Sequence, residues 1–152
     1  MWPKNLYRSS NETGGAIVEF LALTLLMLIP IVYLIIAINQ IQAAKYAVES
    51  AAREAARSFT TAETDDEAHA RAAASVQLAL SDQGFNEDHV GDILGIKCDK
   101  TPCLTPGNDI TVTVDYAVAI PGIPLLGAGP EVTRATAQYV TTIDHFREGP
   151  RL

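Results

Sequence analysis

Charge is what the first third of this chain has least of. Between Glu12 and Lys45 the only charged residue is Glu19, although charged residues make up 19% of the whole sequence. Cysteine is nearly absent too, with Cys98 and Cys103 alone, which rules out a multi-bridge framework or a four-cysteine zinc site. His69, His89 and His145 stand apart from one another, and there is no His-x-x-x-His, no Cys-x-x-Cys and no acidic ligand cluster, so no metal or cofactor is expected. No glycine-rich loop follows a strand and opens a helix, and the serines, histidines and acids form no nucleophile motif. The chain therefore reads as neither an enzyme nor a binder of small-molecule substrates. Basic residues are also in deficit, 11 Lys and Arg against 18 Asp and Glu for a net charge of −7, and that balance argues against nucleic acid as a partner.

What fills the uncharged stretch is apolar. Ala16 to Ile38 forms a run of about 23 residues that, at 1.5 Å per residue, covers roughly 34 Å, enough for the hydrocarbon core of a bilayer. A secretory signal peptide is the competing reading, but its apolar core is about 7–15 residues and is followed by small residues at a cleavage site. Here the run is longer and leads into Asn39-Gln40-Ile41-Gln42, which continues a helical pattern. Pro30 lies inside it, where it removes one backbone donor and bends a helix in a way membrane helices tolerate. Lys4, Arg8 and the amino terminus precede the span, so basic residues favour a cytoplasmic N-terminus and an extracytoplasmic remainder. A single-pass membrane protein is the expectation.

Glu19 needs a reason to be there, because a charge at the centre of a membrane helix costs roughly 2.5–3.5 kcal/mol on insertion scales and less towards an end. It stands five residues after Gly14, in the run Gly14-Gly15-Ala16-Ile17-Val18-Glu19-Phe20. A short basic leader, a glycine, four residues, then Glu and an aromatic at the head of a membrane helix resembles the processing signature of type IV pilin-like proteins. With a leucine-rich span, a mid-span Pro30 and the helix containing Ala51-Ala52-Arg53-Glu54-Ala55-Ala56-Arg57, the chain resembles the TadE-like minor pseudopilins of tight-adherence (Flp/Tad) pili, and from Thr60 onward their actinobacterial type. The resemblance implies a cytoplasmic leader of residues 1–14, cleavage by a prepilin peptidase after Gly14, and a mature chain starting at Gly15. It also implies other pilins, pseudopilins and the pilus assembly platform as partners beside the lipid membrane, with Glu19 and Pro30 serving assembly.

Two glycines let a peptidase approach the backbone closely. A new Gly15 amine and the Glu19 carboxylate, on one subunit or two, can then neutralise each other where an unpaired charge is costly. The plainer alternative is a Glu19 that sits at the membrane interface, reached by headgroups and water. An unprocessed single-span protein displaying an extracellular interaction domain is the corresponding alternative function.

Beyond the span, Gln40 to Phe59 holds no Gly or Pro, and Ala44, Ala47, Val48, Ala51, Ala55 and Phe59 recur at helical spacing. This predicts one long helix over 15–59, with a stripe of small residues suited to close packing. Thr60 to Asp66 is a polar break with capping residues, Glu67 to Ser81 predicts a second, amphipathic helix, and Gly84 is placed to stop it. The period then changes from helical to two. Ile110, Val112, Val114, Tyr116, Val118 and Ile120 alternate with smaller or polar residues, a second strand is expected over Glu131 to Ile143, and a shorter one around Ile93 to Cys98. Helices against one face of a three-stranded antiparallel sheet make an α+β domain over 60–152. Pro121 to Pro130 must leave the ladder, and its Ile123, Leu125 and Leu126 either fold over the sheet edge or form a contact patch for a partner or the membrane. On the outward side of a membrane Cys98 and Cys103 should oxidise to a disulfide closing a short loop.

Overall fold

A computed structural model describes residues 12–86, 89–119 and 132–146. Among the described residues three helices and three strands follow in order: α1 (Glu12–Thr60), α2 (Asp65–Asp82), the single turn α3 (Val90–Ile93), β1 (Leu94–Cys98), β2 (Asp109–Ala119) and β3 (Val132–Thr142). The architecture is α+β. By its contacts the chain divides into two units, residues 1–36 and 37–152.

The first unit holds the apolar half of α1. Its aliphatic side chains from Ile17 to Ile36 are between 45% and 70% exposed, so this helix is not the core helix of a globular body. It is long and apolar enough to cross a membrane. The chain is already helical at Glu12, the first described residue. It also continues through Pro30, where the carbonyl of Leu26, four residues back, has no N–H to receive.

The second unit is built around the small-residue stripe. Ala44, Ala47, Val48, Ala51, Ala52, Ala55, Ala56 and Phe59 of α1 are buried, and α2 meets the same core with Ala68, Ala72, Val76 and Leu80. Alanines at these positions allow close approach, marked by the Ser75 hydroxyl donating to the Ser58 hydroxyl at 3.0 Å. The sheet has the order β1-β2-β3 with both pairs antiparallel. Its register places Leu94 opposite Val114, Ile96 opposite Val112, Val112 opposite Tyr139 and Val114 opposite Ala137, so one face gathers the apolar residues. Ile110, Val112, Val114 and Val118 are buried on that face, whereas Thr111, Thr113 and Asp115 alternate to the other. Burying a side chain the size of Phe59, Leu80, Leu104, Ile110 or Ile143 contributes roughly 1.5–3 kcal/mol each.

Local chemistry fixes the ends of α2. The Thr64 hydroxyl accepts from the Glu67 N–H at 3.3 Å, and the Glu67 carboxylate accepts the Glu63 N–H at 2.9 Å, a reciprocal arrangement of the capping-box kind. Asp65, Asp66 and Glu67 fill its first turn, where the helix dipole favours them. At the other end Gly84 adopts φ +78, its N–H donates to Ser81 O, and the Phe85 N–H donates to Leu80 O. That double bond around a left-handed residue is a Schellman stop, and it makes glycine the natural occupant. The stretch Pro121 to Pro130 lies outside the described residues.

Candidate functional site

Gly14, Gly15, Glu19 and Phe20 fall within the first two to three turns of α1. Gly15 and Glu19 are four residues apart and so share a face. A Cβ placed on Gly15 meets nothing within 4 Å, so its surface is open. Glu19 and Phe20 are exposed, Phe20 at 69%, and positions one turn from Glu19 (Gly15, Ala16, Ala22 and Leu23) carry no opposite charge. Farther along, Phe20, Leu23, Thr24, Met27, Leu28 and Ile31 line one apolar face in which the only polar side-chain atom, the Thr24 hydroxyl, donates to the Phe20 carbonyl at 2.8 Å. Pro30 lies about 16 Å along the axis from Glu19 at helical rise, so the two act at separate levels of the same helix.

Searches against protein-family models, curated proteins and solved structures find no match to this chain. Its chemistry must be argued from its own residues.

Cys98 and Cys103 are joined, with a Cα–Cα distance of 5.4 Å. The loop they close is held from inside by a residue that the sequence did not single out. Asn108 is fully buried; its Oδ1 accepts the Lys100 N–H at 2.9 Å, and its Nδ2 donates to Lys100 O at 2.9 Å and to Cys103 O at 2.8 Å. Its backbone N–H donates to Thr105 O, and its carbonyl accepts the Ile143 N–H at 2.8 Å. Asp65 holds the same loop from α2, its carboxylate accepting the Cys103 and Leu104 N–H groups at 3.3 Å each. Beside this, Gly107 adopts φ +70, a conformation that favours glycine, and the exposed His145 ring lies against it.

His145 and His69 have structural surroundings. His145 lies against Gly107, and His69 sets its ring edge-on to Phe59 at 5.2 Å between centroids, with its Nδ1 2.8 Å from Asp65 O. The run Pro106-Gly107-Asn108-Asp109 before a strand is a turn signal that could have drawn attention to Asn108. Nothing local announces its partners or those of Asp65. On the surface of α2, the Glu63 N–H donated to its carboxylate, with Arg71 at 2.7 Å adding to it, holds the Glu67 carboxyl below its ordinary value of 4.5. Among the described residues no group of three His, Cys, Asp or Glu side chains is arranged to hold a metal ion.

Proposed function

We propose that this chain is a membrane-anchored minor pseudopilin of the TadE-like kind, cleaved after Gly14 by a prepilin peptidase and taking part in assembly of a type IV-like tight-adherence pilus. The observation that carries the reading is Glu19, the one charged residue between Glu12 and Lys45, on an uncovered apolar stretch of helix, set five residues beyond Gly14 and followed by Phe20. A helix of this length and apolarity suits a single span, and a stripe of alanines beyond it suits close packing. The proposed topology has the N-terminus in the cytoplasm and the disulfide-closed domain outside, possessing no catalytic role. The partners are the bilayer, the peptidase, other pilins and pseudopilins, and the assembly platform.

One observation favours the alternative of an unprocessed single-span protein that displays an interaction domain. Gly14 and Gly15 are helical, whereas a peptidase needs an extended backbone. The glycine pair answers it in part, since each glycine disfavours helix by about 1 kcal/mol and makes local opening easy. Intact mass and N-terminal sequence of the protein from its native membrane decide between the two. The pseudopilin reading expects Gly15 as the first residue, and retention of the leader when Gly14 is replaced by a bulky residue. Native protein beginning at Met1 in cells with an active prepilin peptidase overturns it.

A further inference from the structure

Of the two edges of the sheet, one is guarded and the other is not. β1, at one edge, has five residues, includes Gly95 and Lys97, and ends on the disulfide-bonded Cys98. Short length and a lysine blunt an edge strand, and glycine weakens it. β3, at the other edge, has eleven residues with no Pro, Gly or Lys among them, and its register against β2 runs without a bulge from Asp109 to Ala119. Among the described residues no strand lies on its far side.

The ladder fixes which main-chain groups face outward. The Ile143 N–H donates to Asn108 O at 2.8 Å and the Ile143 carbonyl accepts the Gly107 N–H at 3.0 Å, so the odd-numbered residues of β3 turn their N–H and C=O groups towards β2. Arg134, Thr136, Gln138, Val140 and Thr142 therefore turn theirs away from it. All five are exposed, and by the register their side chains share the sheet face of Thr111, Thr113 and Asp115, opposite to the core.

Charge selects what can pair there. Arg134 is the only charged residue of β3, and its guanidinium donates to the Asp115 carboxylate of β2. Negative groups gather at the other end of the strand, where the Thr142 hydroxyl donates to the Asp109 carboxylate and the exposed Asp144 follows two residues on. The strand thus has a cation near its start, borders acids at its end, and carries no acid of its own in a chain of net charge −7. An antiparallel second copy sets each cationic end beside the acids of the other, whereas an in-register parallel copy sets Arg134 beside Arg134.

We infer that β3 is a self-association edge, pairing antiparallel with β3 of a second copy about a two-fold axis at Gln138 to give a continuous sheet of six strands, three from each copy. Even-numbered residues then face even-numbered ones, so the outward groups of both strands meet in about ten main-chain hydrogen bonds over residues 134–142. Arg134 faces Thr142 of the second copy, Thr136 faces Val140, and Gln138 faces itself. On the core side Tyr139, 38% exposed, comes beside Ala137 of the second copy. The inference rests on the sheet of the second unit and not on the membrane reading.

Sedimentation equilibrium of the full chain in a density-matched detergent tests it, and the parent should be a dimer at micromolar concentration. Gln138→Pro removes one outward N–H on each side of the axis and none from the β2–β3 ladder, so it should be monomeric with a melting temperature close to that of the parent. Should that variant fail to fold, Gln138→Lys and Gln138→Glu decide. Each alone sets like charges across the axis and should weaken the dimer roughly five-fold, and an equimolar mixture of the two should restore it, as only a residue that meets its own copy allows. A monomeric parent overturns the inference. A dimer as tight in Gln138→Pro as in the parent, or one indifferent to the charge variants, places the contact on another surface and overturns it too.

Discussion

At the scale of single residues, the most consequential side chain in the domain is one with no chemistry of its own. Asn108 satisfies two backbone groups of Lys100 and one of Cys103 from a fully buried position, so replacing it strands three partners at once. With each net hydrogen bond worth about 1 kcal/mol and unsatisfied buried groups costing more, Asn108→Ala should destabilise the protein by about 3 kcal/mol. Chemical denaturation of the detergent-solubilised chain under non-reducing conditions measures it, and a loss no larger than that of an exposed substitution would mean the loop is held by its disulfide alone. Glu67 carries a different kind of prediction, one of sign. Its carboxyl is held low chiefly by the Glu63 N–H, so the unfolded chain binds a proton more readily than the folded one, and the contribution of this carboxylate is present above its ordinary value of 4.5 and lost as pH falls through the lower, folded value. Melting temperatures followed into that acid range should decline less steeply for Glu67→Gln than for the parent chain, and parallel profiles would show that the cap does not titrate with folding. Neither residue was visible as special in the sequence. Asparagine before a strand reads as a turn residue, and the N–H groups that donate to Asp65 lie 38 and 39 residues away.

Elements were legible where one physical signal dominated. The two-residue alternation from Ile110 and the alanine spacing from Ala44 set strand and helix correctly because each reports a single buried face, and that face is the one the core uses. Gly84 was readable as a stop because only a left-handed residue closes the helix in that way. Less was readable where the structure depends on contacts between elements: the one-turn α3 has no periodicity to detect. The alanine stripe makes its own prediction. Ala55 is fully buried among the packed elements of the second unit, so Ala55→Leu forces extra volume into a closed space and should cost about 1–3 kcal/mol. Glu54→Leu, next to it on the exposed side, should stay within about 0.5 kcal/mol of the parent. Equal effects at both positions would show that the stripe is loosely packed, and would leave it free to serve contacts with another subunit.

For the molecule as a whole, the question is what a carboxylate does in a helical stretch that is otherwise uncharged from Gly15 to Ala44. Stability gives no reason, since removing the charge makes the span more apolar and its insertion easier. In the proposed pseudopilin a register device would: a single polar group in an apolar interface penalises every alignment but the one that pairs it. In the proposed mature chain the amine of Gly15 is the nearest group able to pair with it, on the same face of α1 or on a neighbouring subunit. Glu19→Gln and Glu19→Ala should therefore insert into membranes as fully as the parent, while recovering less of the other pilus components on co-purification and reducing piliation. Changing Glu19 to Asp, which keeps the charge but shortens its reach, should fall between parent and Gln if pairing geometry matters. Undiminished recovery and normal piliation with the neutral variants would reduce Glu19 to a residue of the membrane interface, held by headgroups and water, with assembly then resting on the apolar face of Phe20 to Ile31.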